Sequence, residues 1–150
     1  IWSRPREGYD GPGTTPLMEL YPWGPPNRYF ELELYRLWML SAHADASLRN
    51  PQLAFDELQW FMQNAPTRLG AAGVNQQMQA RYRVWIMDLQ AANFAALGRF
   101  QEAIGASAEA LKSARDLRAP QELIQDLTER NQVYRNKQAY RFRLRVPVVG

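Results

Sequence analysis

Three observations predict an all-α fold. Apolar residues recur at helical spacing across most of the span from Arg28 to Asn136. The residues that forbid long helices, Pro5, Pro12, Pro16, Pro22, Pro25 and Pro26 with Gly8, Gly11, Gly13 and Gly24, crowd into the first 27 positions instead. Strict two-residue alternation appears only at the far end, where Tyr140, Phe142, Leu144 and Val146 interleave with Arg141, Arg143 and Arg145. The division that follows is an extended Pro/Gly/aromatic arm at 1–27, a helical domain at 28–136 and a basic extended tail at 137–150.

In the arm, Trp2, Tyr9, Tyr21 and Trp23 are more aromatics than a freely solvated linker needs, so they read as anchors on the chain's own helices or on a partner. Asn27 is a candidate N-cap for a first helix reaching to about Leu48, with Phe30, Leu34, Leu37, Trp38 and Ser41 on one face. Asn50-Pro51 breaks it, and Pro51 at a first helical position opens the next helix, expected to close at Pro66 before a loop at Leu69–Gly73. A third helix is expected from Val74 to Leu97, with Tyr82, Trp85, Leu89 and Ala92 facing inward. Gly98 supplies a turn, a fourth helix covers Phe100 to Leu117, and a fifth runs from about Pro120 to Asn136. The alternation after Gln138 predicts a short strand or extended tail with one apolar and one cationic face. The expected core comprises Leu34, Trp38, Ala54, Leu58, Phe61, Trp85, Leu89, Phe94, Ala103, Ala110, Leu123 and Leu127.

The stretch from Ala91 to Ala110, AANFAALGRFQEAIGASAEA, places small residues, Phe94, Gly98, Phe100, Ala103 and Ala110 at spacings that resemble a tetratricopeptide repeat (TPR). Trp38, Ala42, Ala54 and Pro66 fall on matching positions of an earlier unit, while Asp45, Phe61 and Ser107 depart from the pattern. Phe61, standing where an alanine is expected, should open the first hairpin wider. The resemblance covers about Tyr35 to Leu117. It implies a short right-handed TPR-like array of antiparallel helix hairpins and a binding or scaffolding role. The carboxylate clamp of chaperone-tail receptors in that family is not matched, since Met39, His43 and Leu89 stand at the corresponding positions.

Composition narrows the function classes. The 150 residues suffice for one domain with a sizeable core, and there is no cysteine for a disulfide framework or thiolate chemistry. His43 is the single imidazole, expected as a surface or groove hydrogen-bonding residue rather than a general base. Ser41 and His43 lie two apart, on different sides of a helix, and cannot form a nucleophile-base pair. Glu31, Glu33, Asp56 and Glu57 lack the loop spacing of a calcium site, and no Gly-rich phosphate loop is present. The chain therefore reads as no enzyme, with no catalytic residue, metal site or cofactor. No apolar run is long enough to span a bilayer. Opening on Ile1 rather than Met suggests a processed or excised chain, which favours export or the cell envelope.

The net charge of +3 is unevenly distributed. From Thr128 onward Arg130, Arg135, Lys137, Arg141, Arg143 and Arg145 face only Glu129, so the body is slightly acidic. Such an end suits an acidic protein surface or lipid headgroups, and one short strand is a small footprint for nucleic acid. The function expected is a protein-protein interaction scaffold, an accessory subunit of a larger assembly, with Trp2, Tyr9, Tyr21, Trp23, Arg141, Arg143 and Arg145 as partner-binding residues. The alternative is a peptide-binding module that recognises an apolar or aromatic segment.

Overall fold

The computed structural model describes residues 28–71 and 73–142. They form five α-helices, α1 (Arg28–Ala42), α2 (Pro51–Ala71), α3 (Gln76–Ala96), α4 (Phe100–Asp116) and α5 (Gln121–Arg135), with a 3-10 turn at Ala46–Leu48. The chain is all-α over this span. Consecutive helices pack on one another, and α1 packs also on α3, so α3 sits at the centre of the bundle. The expected arm and the residues after Phe142 lie outside the described residues, as do Asn27, Trp2, Tyr9, Tyr21, Trp23, Arg143 and Arg145.

Local chemistry sets most helix ends. Asn75 caps α3 with its side chain accepting from the Met78 N–H at 2.9 Å, one residue inside the start expected from apolar spacing. Gly98, at φ +77°, lets the chain leave α3 in the left-handed region and turn into α4.

Two boundaries depart from the expectation. α1 stops at Ala42 rather than near Leu48, because the backbone beyond it pairs elsewhere. The Ala44 N–H donates to the Phe142 carbonyl at 2.7 Å, and Asp45 then caps the separate 3-10 turn through the Ser47 N–H. α2 does not close at Pro66 but continues to Ala71. A helical proline forfeits its own N–H bond, while the residues beyond it can still bond backward. The end comes instead at Gly73, whose φ of +76° and 3.0 Å N–H bond to the Gly70 carbonyl close the turn.

All twelve expected core residues are buried. Small side chains are fully enclosed on the two helices that pack on each other, α3 with Ala91 and Ala92 and α4 with Ala103, Ala110 and Ala114. Ser107, in place of an aromatic, is also fully buried, and its hydroxyl has no hydrogen-bond partner. Asn93 ties three elements together: its Nδ2 donates to the Ser41 Oγ of α1 at 3.2 Å and to the Pro51 carbonyl at the start of α2 at 2.9 Å.

The segment after α5 contributes more than a tail adding little core. Tyr140 and Phe142 are buried at 0% and 1% exposure, and Phe142 forms an isolated parallel bridge with His43. The Phe142 N–H donates to the Ala42 carbonyl at 3.0 Å. This strap returns the segment after α5 to the end of α1. Among the described residues this end of the alternating stretch forms isolated bridging rather than a named strand.

Candidate functional site

Two features stand out from the bundle: a buried charged cluster under the strap, and a groove between α1 and α2. Neither contains an assembled acid, base and nucleophile.

The cluster is built from three helices and the strap. Asp88 of α3 and Arg130 of α5 form a two-pronged ion pair, Arg130 Nε to Oδ1 at 2.9 Å and Nη2 to Oδ2 at 2.6 Å, with side chains 2% and 0% exposed. The guanidinium also lies over the rings of Trp38 and Tyr140, at 5.8 and 5.3 Å from their centroids. Trp38 meets Tyr140 and Phe142 edge to face, at 5.8 and 6.3 Å. One buried cation thus joins α1, α3, α5 and the strap.

Both charges were legible as exceptions to an apolar stripe. Arg130 falls with Leu123, Leu127 and Tyr134 at the spacing of one helix face, and Asp88 falls among Trp85, Leu89 and Ala92. A charge in such a stripe needs an opposite partner once buried. Pattern alone does not say that each is the other's partner.

His43 belongs to this cluster rather than to a surface or an open groove. It is 8% exposed, its Nδ1 accepts the Asp45 N–H at 2.9 Å, and its ring meets Phe142 at 5.5 Å. The Arg49 Nη1 donates to the His43 carbonyl at 2.7 Å. Its described contacts are structural.

Tyr134 stands beside the pair, fully buried, its hydroxyl without a hydrogen-bond partner. Burial, reinforced by the nearby Asp88 carboxylate, pushes the phenol well above its ordinary value of 10.0. The folded value lies above the unfolded one, so the neutral phenol's contribution is complete below pH 10.0 and is lost as the pH climbs past it. Tyr134→Phe is expected to remove up to about 1.4 kcal/mol per pH unit of alkaline destabilisation, while changing stability little at pH 8. Urea titrations of both proteins at pH 8, 10 and 11 check this, and parallel losses in the two would refute it.

Of the expected partner-binding residues, Arg141 alone lies among the described ones. It is half-buried between the buried Tyr140 and Phe142, and its Nη1 donates to the Tyr140 carbonyl at 3.0 Å. Trp38, Phe61, Trp85 and Phe94 are buried, whereas Trp60 is 55% exposed.

Trp60 borders the groove. This space of about 310 Å³ is lined by Glu33, Arg36, Leu37, Glu57, Trp60 and Phe61. Phe61 is buried at the base of this groove, and its ring reaches Tyr82 of α3 at 6.1 Å. On the rim, the Arg36 Nη1 donates to Glu57, and this bond first, then the Glu57 and Glu33 charges, raises the guanidinium above its ordinary value.

No group of acidic residues and His43 among the described residues could hold a metal ion, and no described helix is long and apolar enough to cross a membrane. No family model matches the chain, and neither the curated proteins nor the solved structures offer a match to it.

Proposed function

We propose that this chain is a non-catalytic structural subunit, held in a larger assembly through its two ends, and that its helices stack as a short right-handed TPR-like array. The packing of each helix on the next and the left-handed turn at Gly98 support the array. The observation that carries the scaffold reading is the facing of the strap. Tyr140 and Phe142 are buried in the chain's own core while Arg141 between them is half-buried, and the sequence continues the alternation with Arg143 and Arg145. A cationic row displayed from a fixed base suits an acidic protein surface or lipid headgroups. At the other end, Trp2, Tyr9, Tyr21 and Trp23 are residue types that dominate interface energetics.

The test removes Ile1 to Gly24 and, separately, residues 143–150, and measures thermal unfolding together with co-purification of the native assembly. The second cut must follow Phe142, since cutting earlier deletes core. The expected result is that both shortened chains melt as the full chain does and lose the partner. Full partner retention by both would sink the proposal.

A peptide-binding role is the second reading. The groove between α1 and α2, bordered by the exposed Trp60, is the feature that favours it.

A further inference from the structure

Among the described residues Gly73, Gly98, Arg118 and Lys137 take the left-handed backbone, at φ +76°, +77°, +56° and +57°. Glycine adopts it without a side-chain penalty. Arg118 follows α4, and Pro120 two residues on denies that helix any continuation. Lys137 follows α5 with neither device. The connection Asn136-Lys137-Gln138-Ala139 holds no glycine and no proline, and Lys, Gln and Ala are among the stronger helix formers. Its residues favour carrying α5 straight on, and what opposes them is the docking of Tyr140 and Phe142 just beyond.

Straightening this connection costs the backbone little. In the turn the Lys137 N–H donates to the Tyr134 carbonyl at 2.9 Å and the Gln138 N–H to the Val133 carbonyl at 3.1 Å. In a continued helix the same two donors serve the same two carbonyls with partners exchanged, and the left-handed penalty at Lys137 disappears. Four more helical residues carry the chain about 6 Å along the axis and remove the fold-back that returns the strap to Ala42.

We propose that residues 136–139 are a hinge for strap exchange between two copies of this chain: α5 continues through Ala139, and Tyr140 to Phe142 of each copy fill the seat vacated in the other. The named contacts of the strap all lie outside the hinge. The Ala42 carbonyl, the Ala44 N–H, the rings of Trp38 and His43 and the Arg130 guanidinium present the same seat in a second copy. Exchange therefore conserves these contacts and relieves the hinge, against the cost of bringing two chains together. The scaffold reading requires no second copy, so this inference goes beyond it and stands or falls separately.

The experiment refolds the full chain from denaturant at about 10 μM and about 1 mM and reads its mass by size-exclusion chromatography with light scattering. The expected result is monomer at the lower concentration and a dimer fraction at the higher. Lys137→Val places a β-branched residue where the left-handed region disfavours it most, and is expected to tighten the dimer at least about tenfold, since two hinges are relieved per dimer. Lys137→Gly with Ala139→Pro combines the glycine of the Gly98 turn with the proline spacing of Arg118 and Pro120, and is expected to weaken the dimer at least about tenfold. Circular dichroism melts check that each variant is folded, which the exposure of Lys137 makes the expected result. If Lys137→Val does not fold, the glycine-proline variant carries the test. Monomer throughout for the parent chain overturns the proposal. A dimer indifferent to the hinge variants is an ordinary surface contact and overturns it too.

Discussion

Asp88→Ala is expected to destabilise the folded chain by about 3–5 kcal/mol, because it leaves the Arg130 guanidinium charged and without its carboxylate in a site at 0% exposure. A guanidinium cannot escape by losing its proton in the accessible pH range, so the cost appears as unfolding or as water entering the cluster. The decisive comparison is the double variant Asp88→Leu with Arg130→Met, which removes both charges and keeps comparable volume. Its stability should return to within about 1–2 kcal/mol of the parent or exceed it, since the pair's attraction largely offsets the desolvation of two ions. Urea unfolding of the parent, both singles and the double closes the cycle. A double variant as unstable as Asp88→Ala would mean that the cation-π contacts with Trp38 and Tyr140, rather than the ion pair, hold the cluster together.

Phe142→Ala should cost about 3–5 kcal/mol, the usual range for truncating a buried aromatic. It is 1% exposed, its ring meets Trp38 and His43, and it sits on the backbone bridge that ties the segment after α5 to the end of α1. Arg141→Ala, one residue earlier on the opposite face, should change stability by no more than about 1 kcal/mol. The contrast is the point of the experiment, since adjacent residues on an extended segment face opposite ways. Equal effects at the two positions would contradict the buried and half-buried assignments, and with them the basis for treating the cationic row as a displayed surface. The same pair bears on the docking of the ends. Partner loss in Arg141→Ala with the fold intact would extend the scaffold proposal into the described structure.

Helix existence and most helix faces were legible in the sequence because they depend on neighbours a few residues apart. Apolar recurrence located α3, α4 and α5 to within two residues at each end, and Pro51 and Gly98 marked boundaries through their own backbone preferences. The two misplaced ends have non-local or permissive causes. α1 stops where Phe142, a hundred positions later, claims the backbone of Ala42 and Ala44, and no window around α1 contains that information. α2 passes Pro66 because a proline disfavours helix without forbidding its continuation.

The candidate sites divide in the same way. The sequence by itself determined that the interior would be helical, and that Tyr140 and Phe142 would fall on one face of an extended segment with Arg141 between them. These follow from side-chain size and from the 3.6- and 2-residue periods, which are properties of the chain's immediate geometry. Asp88 and Arg130 interrupt apolar stripes in the sequence, a signal that the charge count alone did not use. Only the tertiary structure decided that the two meet, that Tyr140 and Phe142 are core, that His43 is enclosed, and that Trp60 alone among the helical tryptophans is more than half exposed. Each of these depends on which distant surface covers a side chain, and burial, unlike periodicity, is settled only when the elements pack.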